Sequence, residues 1–154
     1  MSCAAIMTKE PLTVREDETV ADAAAKLIAH RYMSLPALDA NGRYIGMFGI
    51  YDLLGLLVPR VALAGNLMAN LRFIGDDPEE LRRRYAEVKS RRVSEAVDRN
   101  GARLHPDSPE VEAVRLCCRG HAAIPVIEKA TEKVVGIVSC WDVLRALAGT
   151  PDAG

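Results

Sequence analysis

Three blocks of this chain occur twice in the same order, and that recurrence restricts the fold more than any other property of the sequence. Gly46-Met47-Phe48-Gly49-Ile50-Tyr51-Asp52-Leu53-Leu54 is answered ninety positions later by Gly136-Ile137-Val138-Ser139-Cys140-Trp141-Asp142-Val143-Leu144. Upstream, Ser34-Leu35-Pro36-Ala37-Leu38 is answered by Ala123-Ile124-Pro125-Val126-Ile127, and Asp17-Glu18-Thr19-Val20 by Ser108-Pro109-Glu110-Val111. A chain built this way folds as two copies of one unit.

Each copy predicts the same succession of elements. A short extended piece (12–14; 103–105) leads into a helix opened by Asp17 or Thr19 in the first copy, and by Ser108 with Pro109 at the first helical position in the second. Val20, Ala23, Ala24, Leu27 and Ile28 fall on one helical face, which calls for a sheet to cover it. Residues 35–38 and 44–50 supply two strands through an Asn41-Gly42 hairpin, and 124–128 with 134–139 do the same in the second copy. A second helix follows, over 53–57 and 143–147. At about 55 residues one unit buries too little surface alone, so the two are expected to share a core.

The reading divides the chain into repeat 1 with its N-terminal segment (1–58), a helical linker (59–92), repeat 2 (93–148) and a tail (149–154). In the linker, residues 61–74 are apolar enough to pack on something. Asp77, Pro78, Glu79 and Glu80 open a helix whose stripe is Leu81, Tyr85 and Val88.

Composition narrows the function. The 154 residues carry 20 Lys and Arg against 21 Asp and Glu, so no overall field draws the chain to nucleic acid or an anionic membrane. The basic run Arg82-Arg83-Arg84, with Lys89, Arg91 and Arg92, shares its helix with Glu79, Glu80 and Glu87, which predicts ion pairing rather than a groove-reading surface. The apolar stretches 53–59 and 61–65 fall short of the roughly 20 residues needed to cross a bilayer, and no basic-then-apolar leader opens the chain. A cytoplasmic protein without membrane insertion is expected. Cys3, Cys117, Cys118 and Cys140 form no metal-binding spacing and read as apolar fillers, with a thiol sensor as the alternative. His30, His105 and His121 stand at dissimilar places, and no phosphate loop or nucleophile elbow is present, so no catalytic or metal site is expected.

The Ile6-Met7-Thr8 opening, the Asp17-Glu18-Thr19-Val20 helix start, the Ser34-Leu35-Pro36 strand and the duplicated Gly-x-x-[Ser/Thr/Gly]-x-x-Asp block together resemble a tandem pair of cystathionine-β-synthase-type (CBS) repeats, the Bateman module. The resemblance covers 4–57 and 93–148. It implies an α/β (α+β) architecture of two β-α-β-β-α repeats with pseudo-two-fold symmetry, two clefts between them and a disc-like homodimer. It also implies a regulatory ligand containing adenosine, such as AMP, ADP, ATP or S-adenosylmethionine, with no covalent cofactor.

The residues supply a chemical reason for such a ligand. Ser139 and Asp142 put a hydroxyl, helix N-terminal N–H groups and a carboxylate within one turn. The N–H groups suit a phosphate, and the carboxylate suits the vicinal hydroxyls of a ribose. Sugar is therefore expected at Asp142 and phosphate toward Ser139. Adenine is expected on Leu104, Ala123, Ile124 and Pro125, with Arg119 and His121 reaching the phosphate from the other side. The first repeat keeps Asp52 but has Gly49 in place of Ser139, leaving bare backbone that a ligand could approach. With Thr13, Ser34 and Pro36 it makes a second, weaker site. The alternative is a ligand-free dimerisation or docking platform in which Asp142 only caps a helix. For the ligand-binding reading, the regulated target is expected on a separately encoded chain or on a subunit surface contacted by the 59–92 linker.

Overall fold

A computed structural model describes residues 1–58 and 77–150. The expectation of an apolar packing segment over 61–74 lies outside the described residues. In chain order the elements are α1 (Cys3–Ile6), β1 (Thr8–Lys9), β2 (Val14–Arg15), α2 (Val20–His30), β3 (Ser34–Leu38), β4 (Tyr44–Gly49) and α3 (Ile50–Leu56). There follow α4 (Pro78–Val88), a 3-10 turn (Val93–Glu95), α5 (Glu110–Cys118), β5 (Ala123–Ile127), β6 (Val134–Ser139) and α6 (Cys140–Ala148).

Local sequence accounts for the element ends. Thr19 caps α2: its side chain accepts from the Asp22 N–H, and Asp22 accepts from the Thr19 N–H in return. The helix buries Val20, Ala23, Ala24 and Leu27, whereas Ile28, expected on the same stripe, is 77% exposed because it lies past the edge of the covered face. The β3–β4 turn closes on Gly42 at φ 78°, with the Asp39 carboxylate accepting from the N–H groups of Asn41 and Arg43. In the second repeat Pro109, not Ser108, occupies the cap position of α5; the Ser108 hydroxyl instead accepts from the His105 N–H. The helices after β4 and β6 begin at Ile50 and Cys140, three residues earlier than expected, because Gly49 and Ser139 stand at the cap.

Each repeat forms a three-stranded sheet, in the orders β2-β3-β4 and β1-β6-β5. The second order shows that the opening segments are exchanged. Thr8 and Lys9 pair antiparallel with Ile137 and Gly136 of β6, and Cys3 is buried among Leu104, Ile124, Val126 and Val138. Reciprocally, Val93 is buried among Val14, Val20, Leu35 and Phe48 of the first repeat, and Asp98 exchanges both backbone hydrogen bonds with Met47 (2.8 and 3.0 Å). Residues 3–9, counted with repeat 1 from their place in the chain, therefore pack with repeat 2.

The first glycine of the duplicated block permits this exchange. A Cβ on Gly46 would lie 2.3 Å from the Asp98 carbonyl oxygen, and one on Gly136 would lie 2.5 Å from Met7 Sδ. A third apolar cluster, of Tyr44, Met47 and Ile127 with Val134 and Ile137, joins the sheets. Each fully buried Val, Leu, Ile or Phe side chain in these clusters contributes about 1.5–3 kcal/mol.

Helix α4 carries the expected cap at Asp77, whose carboxylate accepts from the Glu79 N–H, with Pro78 at the first position. Its far end is tied to α2 through the carbonyls of Lys89 and Arg91, which accept from Ala21 and Val20. The arginine run is ion-paired as its spacing predicts: Arg82 with Glu79, and both Arg83 and Arg84 with Glu80.

Candidate functional site

The first turn of α6 organises the strongest site. The Ser139 N–H and hydroxyl both donate to Asp142 Oδ2 at 2.7 Å, and the Asp142 N–H donates to Ser139 Oγ at 3.2 Å. Asp142 is therefore the third residue of the helix, not its cap, and it is 7% exposed. Its other oxygen, Oδ1, accepts from Arg145, one turn further along.

This turn faces a cavity of about 340 Å³, inside the size range of small-molecule sites. Repeat 2 contributes Ala122, Ala123, Ile137, Ser139, Trp141, Asp142 and Arg145 to its wall. Facing them are Thr8, Pro11 and Leu12 of the N-terminal stretch and Arg31, Tyr32, Met33, Ser34 and Leu35 from the α2–β3 turn. Among the described residues two cations line it, Arg31 and Arg145. Arg31 closes α2 in the left-handed conformation at φ 53°, which turns the chain from the helix into the cavity wall. Trp141 is 71% exposed at the rim.

A second cavity, of about 170 Å³, lies at the corresponding turn of the first repeat, lined by Met33, Ser34, Gly49, Asp52, Asp98 and His121 among others. The Gly49 N–H donates to Asp52 Oδ2 at 2.8 Å. Burial raises the Asp52 carboxyl above the ordinary carboxylate range, the Gly49 hydrogen bond opposes this, and the charge of Asp98 adds to it. Among the described residues no Lys or Arg lines this cavity. It is half the size of the first and acidic.

The expected ligand residues separate into three groups. Ser139 and Asp142 line the larger cavity; Gly49, Asp52 and His121 line the smaller one; Ser34 and Ala123 border both. His121 thus lies across from Asp52 rather than at Asp142, because Gly120 turns it toward the first repeat. Leu104 and Ile124 are 0% exposed and Pro125 and Pro36 are fully buried, so the side chains of these four lie in the sheet interior. Thr13 lends its carbonyl to Lys26, and Arg119 ends α5 as an exposed residue lining none of the described cavities. Gly49 lines the smaller cavity, and its bareness also serves the close approach of the chain entering β3: a Cβ there would lie 2.9 Å from the Met33 carbonyl oxygen.

Sequence reasoning missed Arg31, Tyr32, Trp141 and Arg145. Arg145 was legible in principle, since it stands three residues after Asp142 on a helix. Arg31 and Tyr32 carried no signal, because only the packing of one repeat on the other brings them there.

Two repeats of strand, helix, hairpin and helix, sharing a core and holding a cavity where the turn of one meets the other, define a paired-repeat fold. The family model for the CBS domain matches residues 3–59 and 93–149, and the chain belongs to the CBS domain family. Among solved structures it is similar to the CBS-pair protein CBSX2 from Arabidopsis thaliana (TM-score 0.75, 22% identity, 96% of this chain and 94% of that one). CBSX2 has also been solved in complex with AMP (TM-score 0.70, 21% identity, 96% of each chain). Another CBS domain pair was solved with 5′-methylthioadenosine and S-adenosyl-L-methionine (TM-score 0.65, 23% identity, 97% of each chain).

Among curated proteins, L-aspartate semialdehyde sulfurtransferase of Methanocaldococcus jannaschii is 25% identical over 94% of this chain, and A-adding tRNA nucleotidyltransferase of Aquifex aeolicus is 27% identical over 92%. The chain spans 23% and 14% of the length of these two relatives. No helix of the described residues is long and apolar enough to cross a membrane, and no cluster of three potential metal ligands occurs among them.

Proposed function

We propose that this chain is a regulatory module that binds a phosphate-bearing adenosine nucleotide in the cavity at Asp142 and passes its occupancy to a partner protein. The observation that carries the reading is the two-sided wall of that cavity. Ser139, Asp142 and Arg145 stand on repeat 2, and Arg31 to Leu35 face them from repeat 1. A ligand touching both sides shifts their relative arrangement to the extent that it prefers one arrangement. The solved neighbours with AMP and with S-adenosyl-L-methionine support an adenosine ligand.

The ribose hydroxyls are assigned to Asp142 and the phosphate to the Ser139 end of α6, where the positive end of the helix and two arginines favour an anion. Asp142 Oδ2 already accepts two hydrogen bonds from Ser139, so the ribose engages Oδ1 and displaces Arg145, which then turns to the phosphate. This replaces Arg119 and His121 as the phosphate cations. The Asp52 cleft, with no lining cation among the described residues, is the weaker site and suits a ligand without phosphate.

The module is regulatory rather than catalytic in this reading, works in the cytoplasm, and pairs with a second copy through α3 and α6. Those helices expose Tyr51 (77%), Leu54 (47%), Leu144 (56%) and Leu147 (67%), a surface that supports a dimer.

The decisive experiment is thermal stability against AMP, ADP, ATP, S-adenosylmethionine, adenosine and NADH. A specific ligand at about 100-fold its dissociation constant adds roughly 2.7 kcal/mol. The expected result is a shift with phosphate-bearing adenosine ligands that is lost in Asp142→Ala. No shift with any of them leaves the docking-platform reading, and an unchanged shift in Asp142→Ala removes the ribose assignment.

A further inference from the structure

Tyr51 and Trp141 occupy the same position of the duplicated block, each immediately before the aspartate of its repeat. Both are left open to solvent, at 77% and 71%, although the chain has only one tryptophan, four tyrosines and two phenylalanines with which to fill its cores. Each lines the cavity of its own aspartate, Trp141 the larger and Tyr51 the smaller. Core packing does not account for Trp141: it belongs to none of the three apolar clusters, and among the described residues its indole makes no hydrogen bond or ring contact. A large apolar ring kept in water beside a cavity is a surface in want of a ligand or a partner.

The larger cavity has a second aromatic wall. Tyr32, in the α2–β3 turn of repeat 1, lines it across from the first turn of α6. The Tyr32 ring stacks on His30, with centroids 5.5 Å apart and planes at 30°, and the Tyr32 N–H donates to the Leu27 carbonyl at 3.1 Å. The ring is thus held in place by its own helix end, and the residue remains 45% exposed. Among the described residues the smaller cavity has Tyr51 but no second tyrosine, tryptophan or phenylalanine.

We propose that Trp141 and Tyr32 are the specificity-determining pair of the larger cavity, an aromatic clamp that stacks a planar heteroaromatic base between the two repeats. The clamp rests on the nucleotide reading and adds to it what selects the base. A ribose carries its base and its phosphate arm at opposite ends. With the hydroxyls on Asp142 and the phosphate toward Ser139, the base therefore runs to the mouth, where the two rings stand. Every base presents a π-face, so stacking selects a nucleoside over a bare sugar phosphate and leaves the choice among bases to other contacts. Because the indole belongs to repeat 2 and the phenol to repeat 1, a base touching both makes a contact across the repeats that a sugar phosphate lacks. The competing role for Trp141, one turn before the exposed Leu144 on α6, is to cover a second copy of the chain.

The chain's single tryptophan is its own reporter. Trp141 fluorescence is followed as AMP, adenosine or ribose 5-phosphate is added to the whole protein at several protein concentrations. Affinities for the three are measured by calorimetry on the parent, Trp141→Leu, Trp141→Phe and Tyr32→Leu. The expected result is quenching by AMP and adenosine that is the same at every protein concentration, and none by ribose 5-phosphate. Trp141→Leu and Tyr32→Leu each weaken AMP and adenosine about tenfold, the size of one lost stacking contact, without weakening ribose 5-phosphate, and Trp141→Phe keeps most of the affinity. Quenching that changes with protein concentration, or equal losses for AMP and ribose 5-phosphate, assigns the ring to a subunit contact and overturns the clamp. AMP that binds the parent without quenching, and binds Trp141→Leu undiminished, overturns the clamp while the nucleotide reading stands. If neither AMP nor adenosine binds the parent, both fall.

Discussion

Arg145 donates to Oδ1 of Asp142 from one helical turn away, while Ser139 holds Oδ2 from the other side. The carboxylate is thus shared between a helix cap, which fixes its position, and the Arg145 guanidinium. Arg145→Ala is expected to weaken AMP about tenfold or more while leaving the smaller response to adenosine, since a lost charge-assisted contact costs about 1.5–3 kcal/mol. Asp142→Ala removes the acceptor for the Ser139 N–H as well, so it loses both responses and about 0.5–2 kcal/mol of stability. Calorimetric titration of both ligands against the two variants checks this, and equal losses for AMP and adenosine in Arg145→Ala would count against a phosphate role.

Gly46→Ala and Gly136→Ala are each expected to destabilise by about 1–3 kcal/mol or more, because the new Cβ meets the exchanged segment of the other repeat. Gly149→Ala is the control: its φ is 65° but nothing lies within 4 Å of a Cβ, so only the left-handed strain of about 1 kcal/mol applies. Urea denaturation of the three variants ranks them.

Asp52 carries a pH signature. Its folded-state carboxyl titrates above its unfolded value, so the folded state holds the proton more tightly. Its contribution to stability is fully present below the unfolded value near pH 4 and is lost as pH rises through the raised folded value. Asp52→Asn keeps an acceptor for the Gly49 N–H and removes the buried charge. It should be at least as stable as the parent protein at pH 7 and lack this component of the pH profile, which melting temperatures from pH 4 to pH 7 would reveal.

The Tyr44 hydroxyl is buried without a hydrogen-bond partner among the described residues, and burial pushes the phenol up to about 12. The Arg103 guanidinium stands over the ring at 5.3 Å from its centroid, so the ring, not the hydroxyl, is engaged. Tyr44→Phe is expected to be neutral or to stabilise by about 1 kcal/mol. A clear loss of melting temperature would show that the hydroxyl has a partner in solution.

The elements of the repeats and of the linker helix were legible because their signals are local: the Thr19 and Asp77 caps, the Asn41-Gly42 turn, the stripe from Val20 to Leu27 and the duplicated block itself. What depended on one repeat meeting the other was not. The pairing of Thr8 with Ile137, the burial of Val93 in the first core, and the arrival of Arg31 opposite Asp142 have no periodicity to announce them. For the same reason the sequence could not show that His121 lines the smaller cavity and that the side chains of Leu104, Ile124 and Pro125 lie in the sheet interior. The smallness of Gly49 was visible, but its purpose required knowing that the Met33 carbonyl approaches it.

The exchange of opening segments makes the two repeats inseparable in a way their sequence likeness conceals. A chain severed between Leu57 and Asp77 yields an N-terminal piece that carries β1, needed by the sheet of the other piece, and lacks Val93 and Asp98, needed by its own. Neither piece is a smaller version of the whole. Mixed together, they hold reciprocal parts of each other's sheets and cores, so the natural outcome is complementation, with both pieces ordering at one concentration-dependent step instead of folding one after the other.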